Sequence, residues 1–268
     1  MRLRLRRPGP AGGLVGIGMT LTAVIVGFSS LVAVNAMARQ TVQEEHSYDF
    51  TGSTVSVDAA IGDVQVVPGG PGRILVRRRL TYGLRRPSVE ERIDGDTFRV
   101  RDTPCRAEVA FPCGVRWLLQ VPRDISIEVR TVSGSISVSG LSGTIKLTSE
   151  SGAVRAFGPS GKVITLRSHD GPVTAQSVSS AQVVATSDNR AVSLTFRSPP
   201  ALVIGRSQRG PVGVVLPDGN DTYKIKAKSQ SQGASRTVAA RTSDDARRLI
   251  DIFSETGDVS VIQSPEGG

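Results

Sequence analysis

Ser168, His169 and Asp170 spell out a nucleophile, a base and an orienting acid, and Cys105 and Cys113 are the only two thiols in this 268-residue chain. Neighbouring side chains on a strand point to opposite faces, so Ser168, His169 and Asp170 cannot pass a proton among themselves. Glu150, Asp170, Asp188 and Glu255 recur beside turns. Stacked, they could form a carboxylate row like that of a β-helical polysaccharide lyase or hydrolase, which needs two carboxylates within about 5–10 Å on one face. Turn polarity accounts for them more simply. A zinc site needs more ligands than two cysteines and the distant His46 and His169 provide. The glycine turns lack the Gly-Lys-Ser/Thr ending of a phosphate loop. Asn220-Asp-Thr222 fits a glycosylation sequon, but Pro217-Asp-Gly-Asn220 reads as a turn. No catalytic, cofactor-binding or metal-binding residue is expected, and no cofactor.

From Leu14 to Ala38 no charge interrupts a run of apolar and small residues. At ~1.5 Å per residue this is long enough to cross a hydrocarbon core of about 30 Å. Arg2, Arg4, Arg6 and Arg7 precede it, and Arg39, Glu44 and Glu45 follow. The positive-inside rule therefore puts the N-terminus in the cytoplasm and the rest outside. Ala36-Met37-Ala38 also fits a signal-peptidase site, so cleavage after Ala38 is the rival reading; the run exceeds the usual ~7–15-residue signal core. Either way the chain is exported. In an oxidising compartment Cys105 and Cys113 are expected to pair, closing a short loop that contributes roughly 2–3 kcal/mol.

The net charge of +9 resembles a nucleic-acid footprint until its position is considered. Setting aside the four arginines ahead of the apolar run leaves +5, spread over a chain with 4% aromatic residues and no stacking platform. Nucleic acid is not an expected partner. Arg77-Arg78-Arg79 and Arg85-Arg86 concentrate charge and either meet anionic envelope polymers or lipid headgroups or form a solvated strand face.

The elements that carry these residues repeat. Anchored on Gly134, Gly152, Gly171, Arg190, Gly210 and Gly257, each unit has apolar residues seven and five positions before the anchor and a hydroxyl three before it. The hydroxyls are Thr131, Ser149, Ser168, Ser187, Ser207 and Ser254. Two and four residues after the anchor come further apolar positions, from Ile136 and Val138 to Val259 and Val261. Two period-2 strands per unit follow. Gly62 anchors an earlier unit in which Ala59 replaces the hydroxyl. Anchors from Gly134 to Gly210 lie 18, 19, 19 and 20 residues apart, the length of one two-stranded coil. A single coil cannot bury its apolar face, so coils must stack into a β-solenoid. A β-sandwich would also show short alternating strands but gives no reason for the recurrent hydroxyl. The hydroxyls are expected to point inward as a ladder. Arg73-Leu80, Thr97-Arg101 and Val115-Val121 read as a sheet interrupting the stack, and Tyr223-Ser229 as an irregular coil.

Ile61-Gly-Asp-Val-Gln-Val66, Val132-Ser-Gly-Ser-Ile-Ser-Val138, Gly140-Leu-Ser-Gly143, Glu150-Ser-Gly-Ala-Val154 and Thr256-Gly-Asp-Val-Ser-Val261 resemble the repeats of the DUF4097 family of adhesin-like bacterial envelope proteins, over roughly residues 50–263. The anchor and the cysteine insert look like actinobacterial members. Asn189-Arg190 departs from the Ser-Gly pattern. The resemblance implies a β-repeat domain at the cell surface. The expected organisation is a basic tail over 1–12, a membrane helix over 13–38 meeting the bilayer through 14–38, a linker over 39–49, an all-β solenoid ectodomain over 50–263 and a tail over 264–268. Its expected role is non-catalytic contact with envelope polymers or surface proteins. The alternative is a β-helical enzyme acting on polysaccharide.

Overall fold

The computed structural model describes residues 40–83, 86–103 and 113–264. Strands β1 (Gln40–Asp49), β2 (Thr54–Ile61) and β3 (Val64–Pro68) open the domain. β4 (Arg73–Tyr82), β5 (Ser88–Asp94), β6 (Thr97–Thr103) and β7 (Gly114–Val121) follow. Then come paired strands, β8 (Ser126–Ser133) with β9 (Ile136–Ser139), β10 (Ile145–Ser149) with β11 (Val154–Phe157), and β12 (Val163–Ser168) with β13 (Val173–Val178). β14 (Gln182–Ser187) with β15 (Val192–Phe196) and β16 (Leu202–Ser207) with β17 (Val212–Leu216) continue the series. β18 (Lys224–Ser229), β19 (Arg236–Ala239), β20 (Leu249–Ser254) and β21 (Val259–Gln263) complete it.

These strands form two facing sheets, one of eleven strands and one of ten. Each coil contributes its first strand to one sheet and its second to the other, and coil pairs on coil in parallel. The described residues are all-β, with a β-helix-like stack at their centre. Register is in phase, so Ile127, Ile145, Ile164, Val183, Val203 and Ile250 lie in one row. All of them are buried, because the period-2 alternation sends one side of every strand between the sheets. Aliphatic residues dominate the core, with Trp117, Phe98 and Tyr223 at the ends of the stack.

The turn glycines bring successive coils into backbone contact. A Cβ on Gly152 would stand 1.8 Å from the carbonyl oxygen of Gly134, and a Cβ on Gly134 would stand 2.0 Å from that of Gly62. At Gly62, Gly171, Gly210 and Gly257 a Cβ would likewise stand between 2.0 and 2.5 Å from the backbone of the coil beside them.

Three expectations change. Residues 40–49 are not a linker: they form β1, paired along its whole length with β4. β4, β6 and β7 do not interrupt the stack either. β6 and β7 make a further coil, parallel to β2 and β3, while β1, β4 and β5 run antiparallel pairings over it. Finally, the irregular coil is a terminal one. β20 and β21 insert between β16/β17 and β18/β19, so the chain builds the outermost coil first and then returns to fill the gap.

The 14–38 span, the flanking segments and Cys105 lie outside the described residues. Cys113 lies immediately before β7. Among the described residues no helix is long and apolar enough to cross a membrane.

Candidate functional site

The six hydroxyls lie in register on one inner row and are all buried. Ser168 Oγ donates to the Gly152 carbonyl at 2.8 Å and accepts the Gly171 N–H at 2.9 Å. Ser149 does the same between Gly134 and Gly152, Ser187 between Gly171 and Arg190, Ser207 between Arg190 and Gly210, and Ser254 between Gly210 and Gly257. Each serine therefore ties its own turn to the turn of the adjacent coil. Ser229 adds a terminal contact to the Gly257 carbonyl at 3.0 Å. Arg190 keeps its place in the chain because only its backbone N–H and C=O are used. Thr131 differs: it shares the row, but its buried Oγ1 has no hydrogen-bond partner among the described residues.

In the β6/β7 coil the equivalent inner position, two past Val100, is Asp102. It accepts from the Ala60 N–H at 2.6 Å and from Trp117 Nε1 at 2.9 Å. Burial raises its carboxyl above the ordinary range, against the lowering effect of the two donors. A second inward polar group fills the end of the stack. Glu91 on β5 accepts from Arg78 of β4 and from the Tyr48 hydroxyl of β1 at 2.6 Å, and contacts His46 Nδ1 at 3.0 Å. Arg78 Nε also donates to Glu44 at 2.6 Å, and Arg86 reaches the other oxygen of Glu44. Burial works to raise the Glu44 carboxyl, but the two guanidiniums outweigh it and hold it below its ordinary value. Burial, reinforced by Glu91, pushes the Tyr48 phenol up to about 12. This network joins the two sheets where the apolar rows end. The inward phase of the alternation in Phe98-x-Val100-x-Asp102 marks Asp102; the Glu91 partners are distant in sequence and carry no local signal.

The basic stretch is therefore divided. Arg78 is an interior residue, and Arg77 pairs with Glu45 at 2.6 Å. Arg77, Arg79 and Arg116 line an open hollow of about 620 Å³ on the outside of β4 and β7. Two of the four turn acids, Asp170 and Asp188, are also occupied. His169 Nδ1 contacts Asp188 at 2.7 Å, and Asn189 donates to Asp170. The hydrogen bond from Asp188 raises the exposed His169 imidazole, with Asp170 adding to the effect. Ser168 points inward to its ladder contacts while His169 is exposed, so the structure does not bring Ser168, His169 and Asp170 together as a relay. Among the described residues no cluster of His, Cys, Asp and Glu could hold a metal.

No protein-family model matches the chain, and no curated protein sequence matches it. Solved structures do resemble it. A "putative adhesin" from Bacteroides fragilis aligns over 83% of this chain and 97% of its own, with 12% identity and a TM-score of 0.52. A "putative cell adhesion protein" from Clostridium sporogenes aligns over 84% of this chain and all of its own, at 10% identity and a TM-score of 0.44. The Bacteroides likeness shows a shared fold; at that identity it shows nothing more.

Proposed function

We propose that the chain is a membrane-anchored surface module of the adhesin type that acts by binding and not by catalysis. One observation carries the reading. The inward hydroxyls from Ser149 to Ser254 hold turn backbones together, and the inward Asp102, Glu91 and Arg78 cap the end of the stack, so the interior is committed to structure. Function then falls to the outer faces of two long sheets of eleven and ten strands, a form suited to extended partners such as envelope polymers or surface proteins. The resemblance to adhesin-like repeats and the apolar run from Leu14 to Ala38 support the same location. The Cys105 and Cys113 pair belongs to this reading as an oxidised staple.

Protease treatment of intact spheroplasts tests it. The folded domain should be clipped at exposed loops from outside while remaining in the membrane fraction. A domain protected until the membrane is lysed would refute surface display, and release of a form starting at Arg39 would replace the anchor with a cleaved signal.

A further inference from the structure

The outer face of the ten-stranded sheet carries cations in a pattern that neither composition nor the hydroxyl repeat requires. One outward row crosses nine strands in register, from β6 to β18. Its residues at every second strand are Arg101, Arg130, Arg167, Arg206 and Lys228. Between them stand Asp58, Thr148, Thr186 and Phe253, so no two cations are direct neighbours. With strands about 4.8 Å apart, the positive charges recur about every 9.6 Å along a line of about 38 Å. Like charges on adjacent strands repel. The alternation spaces the cations along the row without that repulsion.

Some of these charges are partly neutralised within the face. Arg101 lies 3.4 Å from Asp58, Arg130 lies 2.6 Å from Glu128, and Arg206 grips Asp251 with two contacts near 3 Å. Arg167 and Lys228 form no ion pair among the described residues, and both are exposed. The outer row of the other sheet, from Glu45 to Thr237, carries two cations, Arg155 and Arg77, the latter paired with Glu45.

We infer that this face binds an acidic polysaccharide laid across the strands, with anionic groups spaced about one disaccharide apart. The row runs in unbroken register from strand to strand, so the partner must be linear. Its spacing is close to the repeat of an extended disaccharide. It is far coarser than the charge density of duplex DNA, about one phosphate per 1.7 Å of axis. Thr148 and Thr186 offer hydroxyls to sugar between cations, and Phe253 offers a ring. The inference rests on the surface-module reading and names its ligand class and face.

The test uses the full chain in detergent micelles on immobilised hyaluronate, which carries one carboxylate per disaccharide, with dextran and duplex DNA as comparisons. Hyaluronate should bind in a salt-sensitive manner and dextran should not. R167Q should weaken binding about two- to five-fold, the effect of one exposed charge. The charge-neutral double variant T148R/R167T, which moves one cation out of phase, should weaken it as much. R155Q on the opposite sheet should bind like the parent. Circular dichroism of each variant checks that these outward-facing changes leave the fold intact. Parent-like binding by T148R/R167T, or equal losses for R155Q and R167Q, would mean that net charge alone governs attraction and would overturn the inference. Tighter binding to DNA at the same salt would reassign the face to nucleic acid, and no binding to hyaluronate would reject it. These failures leave the spheroplast result untouched, whereas protection in spheroplasts would refute surface display without altering binding in micelles.

Discussion

Replacing Ser168 with alanine removes one oxygen and strands two backbone groups. The Gly152 carbonyl loses its donor at 2.8 Å and the Gly171 N–H loses its acceptor at 2.9 Å, at a position with no solvent exposure. An orphaned buried group costs about 1–3 kcal/mol, so the pair should cost about 2–4 kcal/mol. Thr131 provides the opposite case on the same row. Its Oγ1 is buried and has no partner among the described residues, so Thr131→Val replaces an unused hydroxyl with a methyl of similar size. That change should be neutral or stabilise by up to about 1 kcal/mol. Urea melts of a fragment beginning at Gln40, followed by circular dichroism and by Trp117 fluorescence, would measure both. Coincident transitions are required, because stacked coils can unfold piecemeal. The argument predicts midpoint shifts of opposite sign or of very different size at unchanged m-value. Similar losses for the two variants, or a loss under about 0.5 kcal/mol for Ser168→Ala, would refute it.

Gly152→Ala forces a Cβ to 1.8 Å from the Gly134 carbonyl and should cost more than about 3 kcal/mol or prevent folding, while Gly70→Ala, which meets nothing within 4 Å, should be silent in the same melts. The His169 imidazole should titrate above its ordinary range by NMR, and Asp188→Asn should bring it down; an unchanged titration would disprove the Asp188 contact. Because its folded pKa is raised, His169 contributes stability that is present below the unfolded pKa and is lost as pH rises through the folded value. Asp102 is also raised, but here the charged form is the disfavoured one: stability relative to Asp102→Asn should increase as pH falls through its folded pKa towards its unfolded one, and a flat difference would count against its burial. Non-reducing mass spectrometry of exported protein should find Cys105 and Cys113 joined, and two free thiols would reject the pairing.

The central coils were legible because a short repeat carries its own register. The apolar pairs around Gly134, Gly152, Gly171 and Gly210 align at fixed offsets, and those offsets are the observed Cα partners. What fails to repeat could not be read this way. β1 contains Glu44, His46 and Tyr48 at its half-buried positions, and alternation between polar residues gives no strand signal. Their partners Arg78 and Glu91 lie more than 30 residues away and are fixed only by the pairing of sheets. The order of the last two coils was hidden for a related reason. Ile225 and Ala227 could pair with either neighbour by pattern alone, and the chain order misleads about which coil is outermost.

Both departures from regular stacking occur where a solenoid is most exposed. The end of a parallel stack presents unpaired N–H and C=O groups and an apolar interior, an invitation to pair with another chain. At one end the antiparallel strands β1, β4 and β5 change the hydrogen-bonding direction, and the Glu44, Arg78 and Glu91 network replaces the aliphatic rows with charge that needs its own partners. At the other end β18 bears Lys224, Lys226 and Lys228 on its exposed face, and β19 is only four residues long. Laying down this lysine-rich coil before β20 and β21 leaves the better aliphatic coil, with Ile250, Ile252, Val259 and Val261, covered on both sides. The insertion thus moves the more aliphatic coil inward and leaves a charged, short-stranded edge outside. Reversing that order in sequence, with β20/β21 placed last, would expose a hydrophobic edge and should increase end-to-end association, seen as a larger species in size-exclusion chromatography with light scattering than the parent gives at the same concentration.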